Sequence, residues 1–386
     1  MAYFRKRGEK WSFTADIGQD AATGKRKQKT VSGFKTKKEA QLAAGKLEQE
    51  VNHGTYIEEK NLTFEDFSIE WLKLYCDNVK ESSARARRYE IDCLAFYFRN
   101  IKLKNITKKT YHDTLIDLKD RGYSDNTISG IHGTARMFFK KAMELDVIKL
   151  DPTAYARPPR SQRAIDEDDA PAKYLEKDEL NVFLKTAKEK GLDGDYLIFM
   201  TLAYSGMRIG ELCGLKWTDV DFEAHTINII KTYYNPKNIT TEYLLQTPKT
   251  KSSKRCIDID IDVINELKKH QEQQDIIKNR IGDSYYDKNF IFAKIKNNPG
   301  YPHYLKFIEI RMSRLLKIAG LAKELTPHSL RHTHTSLLAE AGVGLQQIME
   351  RLGHIDDSTT KNVYMHVTKT MKKEASQKFS ELMRNL

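Results

Sequence analysis

The feature that most constrains the fold is an aperiodic segment in the middle of the chain. Between Asp151 and Ala172 the sequence holds four prolines and the acidic run AIDEDD, and it has neither helical nor strand periodicity. This composition is typical of a linker. A chain of 386 residues also exceeds what one hydrophobic core usually serves. We therefore predict a linker at 156–173, followed by a C-terminal domain at 174–386.

The first sixty residues have the pattern of a small sheet followed by a helix. Thr36 is placed to cap that helix, which runs towards Gly54. A sheet of this size buries little, so one face is available to bind a partner. We predict a separate domain at 1–60, with three strands in AYFRKR, KWSFTADIG and KRKQKTVSGF.

Positive charge is concentrated in this first block. The formal net charge of the chain is +12, and residues 1–38 hold eleven Lys or Arg against three acidic residues, a net +8. Clustered cations suit a polyanion, because each neutralised phosphate releases condensed counterions. A solvated basic face without a ligand is the alternative that charge alone leaves open.

Helical periodicity begins at residue 61 and continues to 155. Thr63 can cap a first helix whose apolar stripe comprises Phe64, Phe67, Trp71, Leu74 and Tyr75. Three more amphipathic helices are predicted in SSARARRYEIDCLAFYF, TKKTYHDTLIDLKDRG and DNTISGIHGTARMFFKKAMELD. Four helices of this length predict a compact helical domain at 61–155.

The C-terminal domain is predicted to be mainly helical, with strands in HTINIIKTYY, LLQT, RCIDIDI and NFIFA. The expected fold class is therefore mainly α with small β-sheets (α+β). No stretch approaches the ~20 apolar residues of a membrane span, and the N-terminus lacks the apolar core of a secretion signal. We expect a cytoplasmic protein. The four cysteines form no CxxC pair, which argues against a disulfide framework and a zinc knuckle.

Arg208 follows an apolar helix that runs into Ser205 and Gly206. An ion pair with Glu211, three residues on, is the plain structural interpretation of this arginine. The apolar surroundings favour a functional one, because a guanidinium in a largely buried region requires an anionic partner.

A second candidate element is TPHSLRHTHTSLLAEAG, where Pro327 opens a helix. His328 and Arg331 lie three residues apart on one face, so that imidazole and guanidinium can converge on one phosphate. His328 and His332 have the spacing of a zinc-binding helix, but no Glu follows His328 and no third ligand has an obvious spacing. A metal site is the weaker alternative.

A third element, LGHIDDSTTKNVYMHV, places His354 after a helix-ending glycine and Tyr364 ten residues later within another helix. A tyrosine at such a position is by itself usually a half-buried packing residue. Its meaning depends on the motifs that precede it.

In this order the three elements closely resemble the tyrosine recombinase family, in particular the integrases of phages and integrative conjugative elements. The residues that carry the resemblance are RIGELCGLKWTDVD at Arg208–Asp221, HSLRHTHTSLLAEAG at His328–Gly342 and LGHIDDSTTKNVYMH at Leu352–His366. Three ordered motifs make chance agreement very improbable.

The family also uses a lysine on a turn between two strands, which corresponds here to TPKTKSSKRCIDI. We assign Lys249, with Lys251 as its rival at the same turn. Lys254 and Arg255 are expected to bind backbone phosphates.

The resemblance implies one role for each candidate residue. Arg208 and Arg331 would stabilise the non-bridging oxygens of the scissile phosphate, and Tyr364 would attack it to form a 3′-phosphotyrosine. The remaining roles fall to three residues: His328 accepts the phenolic proton, Lys249 protonates the leaving 5′ oxygen, and His354 orients a phosphate oxygen. No metal or cofactor is then required.

The resemblance also implies partners. Residues 1–60 would bind arm-type sites, 61–155 core sites, and 174–386 would carry catalysis. Four subunits would act on two DNA duplexes, with an excisionase and a host DNA-bending protein as further partners. A type IB-like topoisomerase and a non-catalytic DNA-binding regulator are the alternatives, and a two-duplex recombination assay and a test for a covalent DNA adduct would separate them.

Overall fold

In a computed structural model the chain forms two compact units, Met1–Ala164 and Ile165–Leu386. The three-domain partition stays a prediction. The described residues are 2–19, 24–53, 56, 61–160, 174–248, 253–321, 324–353, 360–365, 380, 383 and 384.

The first unit begins with a three-stranded antiparallel sheet in the order β1-β2-β3. Phe13 and Ala15 of the middle strand are buried and share a small apolar core with three residues of the following helix. The strands and the helix are β1 (Tyr3–Arg7), β2 (Lys10–Gln19), β3 (Arg26–Phe34) and α1 (Lys37–Asn52).

The predicted start of α1 is confirmed, and its end can be stated more closely. The Thr36 side chain accepts a hydrogen bond from the backbone N–H of Glu39, which satisfies one of the unpaired donors of the first turn. The helix ends at Asn52 with His53 as its C-cap. Gly54, where the sequence analysis expected the end, lies outside the described residues.

Four helices complete the described part of this unit. Thr63 and Asp66 form a reciprocal capping box at the start of the first helix. Phe64, Phe67 and Trp71 are buried as predicted, whereas Leu74, at the edge of the stripe, is 45% exposed. The helices are α2 (Phe64–Cys76), α3 (Glu81–Phe98), α4 (Lys108–Asp120) and α5 (Asp125–Glu144).

The second unit is built around α7, an apolar helix that is buried along almost its whole length. A helix without a polar face requires neighbours on all sides, and four other described helices contact it. The described helices of this unit are α6 (Lys177–Lys190), α7 (Asp195–Ser205), α8 (Ile209–Cys213), α9 (Ile261–Ile281), α10 (Leu305–Ala319), α11 (Pro327–Glu340) and α12 (Leu345–Leu352).

Two small antiparallel sheets flank these helices. One has the strand order β4-β5-β8, and the other is the pair β6-β7. Ile227 pairs with Ile257 across β5 and β8, and both side chains join the core of the unit. The strands are β4 (Val220–Asp221), β5 (Thr226–Ile229), β6 (Thr232–Tyr234), β7 (Leu244–Gln246) and β8 (Arg255–Asp258).

The structure corrects two strand predictions in this unit. The run HTINIIKTYY is not one strand, because β5 and β6 belong to different sheets. NFIFA is not a strand: Phe290 and Ala293 make isolated bridges to Lys216 and Pro302. Its backbone therefore bonds to different neighbours in turn, which prevents a continuous ladder, although its apolar side chains are buried as a strand's would be.

The fold class is confirmed as mainly α with small antiparallel sheets. None of the helices in the described ranges is both long enough and apolar enough to cross a membrane.

Candidate active site

The site begins where α7 ends. Gly206 caps α7 with a left-handed backbone conformation (φ = +61°). A Cβ atom there would lie 2.6 Å from Cδ2 of His334 and 2.8 Å from Cδ2 of Leu352. Only glycine combines a left-handed backbone with the absence of a Cβ atom. The resulting sharp turn places Arg208 one residue before α8 rather than within it.

Arg208 pairs with Glu211, as its plain structural interpretation predicted. Its Nη1 atom lies 3.0 Å from Oε1 of Glu211, and its backbone N–H donates to Oε2 at 2.9 Å. The two partners differ in exposure: the side chain of Arg208 is 36% exposed and that of Glu211 only 3%. The guanidinium can therefore still meet a ligand from solvent.

Glu211 is shared with a second arginine. Arg255 donates to both carboxylate oxygens, at 2.9 and 3.2 Å. Burial raises the pKa of Glu211, but the hydrogen bonds and charge of Arg255, together with Arg208, outweigh this and hold it below its usual range. One carboxylate thus faces two guanidinium groups, and the cluster keeps a net positive charge.

Arg331 connects the two segments that flank it in space. It lies in α11, is 2% exposed, and donates from Nη1 to the Gly206 carbonyl (2.7 Å) and from Nη2 to the Leu352 carbonyl (2.6 Å). Gly206 lies two residues before Arg208, and Leu352 lies two residues before His354. The two neutral carbonyls orient the guanidinium without cancelling its charge.

His328 lies in the first turn of the same helix but at the surface. Its ring meets that of His332 edge-on, with 5.0 Å between the centroids. In the described ranges no three His, Cys, Asp or Glu side chains are grouped as metal ligands would be.

Tyr364 lies in a helical stretch at 360–365 and is half-buried. It packs against a small apolar cluster formed by Ala339, Ile348 and Leu352. Leu352 therefore belongs to the cluster against which Tyr364 packs, and its carbonyl accepts a hydrogen bond from Arg331.

The remaining candidates, Lys249, Lys251 and His354, lie outside the described residues. The described end of the lysine turn is nonetheless near the segment that leads to His354, because Ser253 Oγ lies 3.5 Å from the Gly353 carbonyl oxygen. Lys254 is exposed, as a phosphate-binding residue would be.

Arg255 corrects the sequence analysis, which assigned it to backbone phosphates. Its side chain is 5% exposed, and besides Glu211 it donates from Nε to the Arg351 carbonyl at 2.8 Å. It is an internal residue that organises the site.

His334 and Arg351 were missed altogether. They contact each other, with 3.0 Å between Arg351 Nε and His334 Nε2. A histidine among buried neighbours in α11 was the available signal, since a buried imidazole must have hydrogen-bond partners. Its partners lie 131 and 17 residues away, which no local pattern reveals.

Residues 173–371 match the Phage integrase family. Residues 2–51 match the Arm DNA-binding domain, and 63–118 match the "Phage integrase, N-terminal SAM-like domain". The principal match covers more than half of the chain.

Relatives that extend over nearly the whole chain include two named integrases. The integrase of Staphylococcus phage L54a is 31% identical over 356 residues, covering 88% of this chain and 98% of that protein. The ICEBs1 integrase of Bacillus subtilis is 25% identical over 386 residues, covering 98% of this chain and 99% of that protein.

Solved structures agree in fold. The Tn1549 transposon integrase in complex with transposon right end DNA superimposes with a TM-score of 0.67 at 21% identity, covering 82% of this chain and all of that one. A lambda integrase dimer bound to a core site gives 0.58 at 18% identity, covering 94% of both chains. The resemblance stated from the three motifs is thus confirmed, and the chain belongs to the phage integrase family of tyrosine-type site-specific DNA recombinases.

Proposed function

We propose that this recombinase cuts DNA by forming a 3′-phosphotyrosine through Tyr364. The observation that supports this most directly is the position of Leu352. Its side chain belongs to the apolar cluster against which Tyr364 packs, and its carbonyl is held by Arg331, which also holds the turn before Arg208. The proposed nucleophile and the two proposed phosphate-binding arginines are thereby tied to one small region of the fold.

The two arginines would stabilise the negative charge of the phosphodiester. A phosphodiester repels a nucleophile because its non-bridging oxygens are negative, and charge increases as phosphorus becomes five-coordinate. Arg208 and Arg331 would donate hydrogen bonds to these oxygens. The net positive charge around Glu211 supports this role, because a site already neutralised by carboxylates would attract a phosphate far less.

The proton transfers would be divided between two residues. As Oη of Tyr364 forms its bond to phosphorus, the phenolic proton passes to His328, since a phenol with a reference pKa of ~10 needs a base at neutral pH. As the bond from phosphorus to the 5′ oxygen breaks, Lys249 gives that oxygen a proton. His354 would orient a non-bridging oxygen.

Rejoining would reverse these steps with a different hydroxyl. The phosphotyrosine retains the energy of the broken bond, so a 5′ hydroxyl of a second duplex can attack it and release the tyrosine without ATP. The charged groups described here supply the stabilisation that a metal would otherwise provide, so we propose a reaction without cofactor.

The wider assembly follows from family membership. We propose an arm-binding domain at 1–60, a core-binding domain at 61–155, a linker at 156–173 and a catalytic domain at 174–386. Four copies would act on two duplexes in the cytoplasm, with an excisionase and a host DNA-bending protein setting direction. The lambda integrase tetramer bound to a Holliday junction supports the tetramer by analogy of fold.

The test is to trap the covalent adduct. A core-site duplex nicked near the cleavage point releases a short fragment after cutting, so the enzyme stays attached and migrates with DNA on a denaturing gel. Tyr364→Phe deletes one oxygen and leaves the arginines in place, so we expect wild-type duplex binding and no adduct. An adduct at wild-type yield in this variant would rule out Tyr364 as the nucleophile.

A further inference from the structure

Arg351 bridges four elements around the proposed active site. From the last turn of α12 its Nη2 donates to the carbonyls of Asp258 (2.9 Å), at the end of β8, and Tyr204 (3.2 Å), near the end of α7. Its Nε donates to Nε2 of His334 in α11 at 3.0 Å. A side chain with donors in a rigid planar fork can hold three acceptors from different segments at once.

His334 is held in the one protonation state that accepts this bond. Its Nδ1 lies 2.9 Å from the Ala203 carbonyl, which can only accept, so Nδ1 carries the hydrogen and Nε2 is the acceptor. Burial, with the neighbouring charges of Arg351 and Arg331, lowers the pKa of His334 to about 4. The imidazole is therefore neutral under physiological conditions.

The backbone of α12 is held at the same place by two more arginines. The Arg351 carbonyl accepts from Arg255 Nε at 2.8 Å, and the Leu352 carbonyl accepts from Arg331 Nη2 at 2.6 Å. The last carbonyls of a helix have no partner within it and carry partial negative charge, so cations there are favourable. We call Arg255, Arg331 and Arg351 the arginine clamp.

The arginine clamp lies between the proposed phosphate-binding residue Arg208 and the proposed nucleophile Tyr364. On one side Arg255 holds Glu211, which holds Arg208. On the other side α12 ends at Leu352, which belongs to the apolar cluster against which Tyr364 packs. A shift of the end of α12 would therefore move the proposed nucleophile relative to the proposed phosphate-binding arginines.

We propose that Arg351 is a positioning residue for strand cleavage, which sets the end of α12, and with it the cluster against which Tyr364 packs, relative to Arg208 and Arg331. It acts through these residues and does not contact the DNA phosphate. This inference rests on the proposed phosphotyrosine mechanism. Arg351 lies outside the three motifs. Its proposed role affects the rate of cleavage and not DNA binding.

The test separates rate from binding. Cleavage of the nicked core-site duplex is followed under single-turnover conditions across enzyme concentrations, which gives a saturating rate and an apparent Kd. For Arg351→Ala we expect the saturating rate to fall about 10²-fold, the size of effect that small misplacements cause. The apparent Kd should stay within about threefold of wild type, because the contacts that bind the duplex before cleavage are unchanged.

Arg314→Ala is the matched control. Arg314 also donates to a backbone carbonyl, that of Lys190 at 3.3 Å, but it lies in α10 and is not a member of the arginine clamp. It should cleave at the wild-type rate. If Arg314→Ala slows cleavage as much as Arg351→Ala, the effect is general destabilisation and the proposal is overturned.

Arg351→Lys covers the case in which the alanine variant does not fold. Lysine keeps the charge at the helix end but not the planar fork, so it should stay folded with a saturating rate between those of wild type and alanine. Wild-type rates in both Arg351 variants would overturn the positioning role. A wild-type enzyme that forms no covalent adduct would instead refute the phosphotyrosine mechanism itself, so the two failures are distinguishable.

Discussion

At the scale of single residues, Glu211 determines how much positive charge the site presents. It is buried, and it accepts hydrogen bonds from Arg208 and Arg255 together. Removing one partner of such a cluster costs far more than removing an exposed ion pair, because the remaining charges lose their compensation. The arginines of this site are therefore not interchangeable with the many surface cations of a chain with net charge +12.

Arg208→Ala should impair cleavage much more than binding. If Arg208 binds the scissile phosphate as proposed, the variant loses a charge-assisted hydrogen bond to the transition state, and one such donor is worth about 10²–10³ in rate. Single-turnover cleavage at saturating enzyme measures this. Lys306→Ala is the control, because Lys306 also pairs with a glutamate three residues on, Glu309, at an exposed position. Equal losses in the two variants would contradict a specific role for Arg208.

The proposed proton donor can be tested by changing the leaving group. If Lys249 protonates the departing 5′ oxygen, Lys249→Ala should cleave ordinary DNA slowly. It should regain most of its rate when that oxygen is replaced by sulfur, because a thiolate departs without protonation. Lys251→Ala should show a smaller defect. Rescue at Lys251 and not at Lys249 would place the active lysine two residues further along the turn.

Sequence alone names candidate residues whose neighbours in the chain form recognisable motifs, and it does not single out residues whose partners are distant. Arg208, Arg331 and Tyr364 stand within ordered motifs, so they could be named without coordinates. Arg351 has no such context, because two of its acceptors are backbone carbonyls 93 and 147 residues away. Any residue type can supply a carbonyl, so the sequence contains no sign of this contact.

At the scale of elements, the turn between α7 and α8 tolerates little change at Gly206. Gly206→Ala should destabilise the second unit by about 2–4 kcal/mol, combining the left-handed conformation with overpacking against His334 and Leu352. Gly320→Ala, at the C-cap of α10 with φ = +69° and no atom within 4 Å of a Cβ, should cost about 1–2 kcal/mol. Urea unfolding measures both, and equal costs would show that the contacts of Gly206 do not matter.

Helices were easier to predict than strands for a physical reason. Helical periodicity and caps are local, so Thr36 and Thr63 marked the starts of α1 and α2. Whether an apolar run becomes a strand depends on its neighbours. HTINIIKTYY is shared between two sheets, and NFIFA bonds to separate segments, so neither outcome could be read from composition.

At the scale of the whole chain, the first unit contains two separate apolar cores. Phe13 and Leu47 belong to the core of the sheet, whereas Phe64 and Phe138 belong to that of the helices. An ion pair between Lys149 and Glu50 joins the two parts, at 2.8 Å and with both side chains more than one-third exposed. Pairs of this kind contribute about 0–1 kcal/mol. The helices should therefore fold without the sheet.

Deleting residues 1–60 should spare cleavage of a short core-site duplex and abolish recombination between full attachment sites. The sheet has a small core and its remaining surface is basic, with a net +8 over residues 1–38, which suits a DNA-binding face.

Because such binding is largely ionic, the affinity of the intact protein for arm sites should fall as salt concentration rises. A plot of log affinity against log salt concentration should have a slope of about −0.9 per phosphate neutralised. Strands can also enter the major groove, so some base specificity should accompany this dependence. Recombination of full sites by the truncated protein at the wild-type rate would show that the basic surface is only solvated.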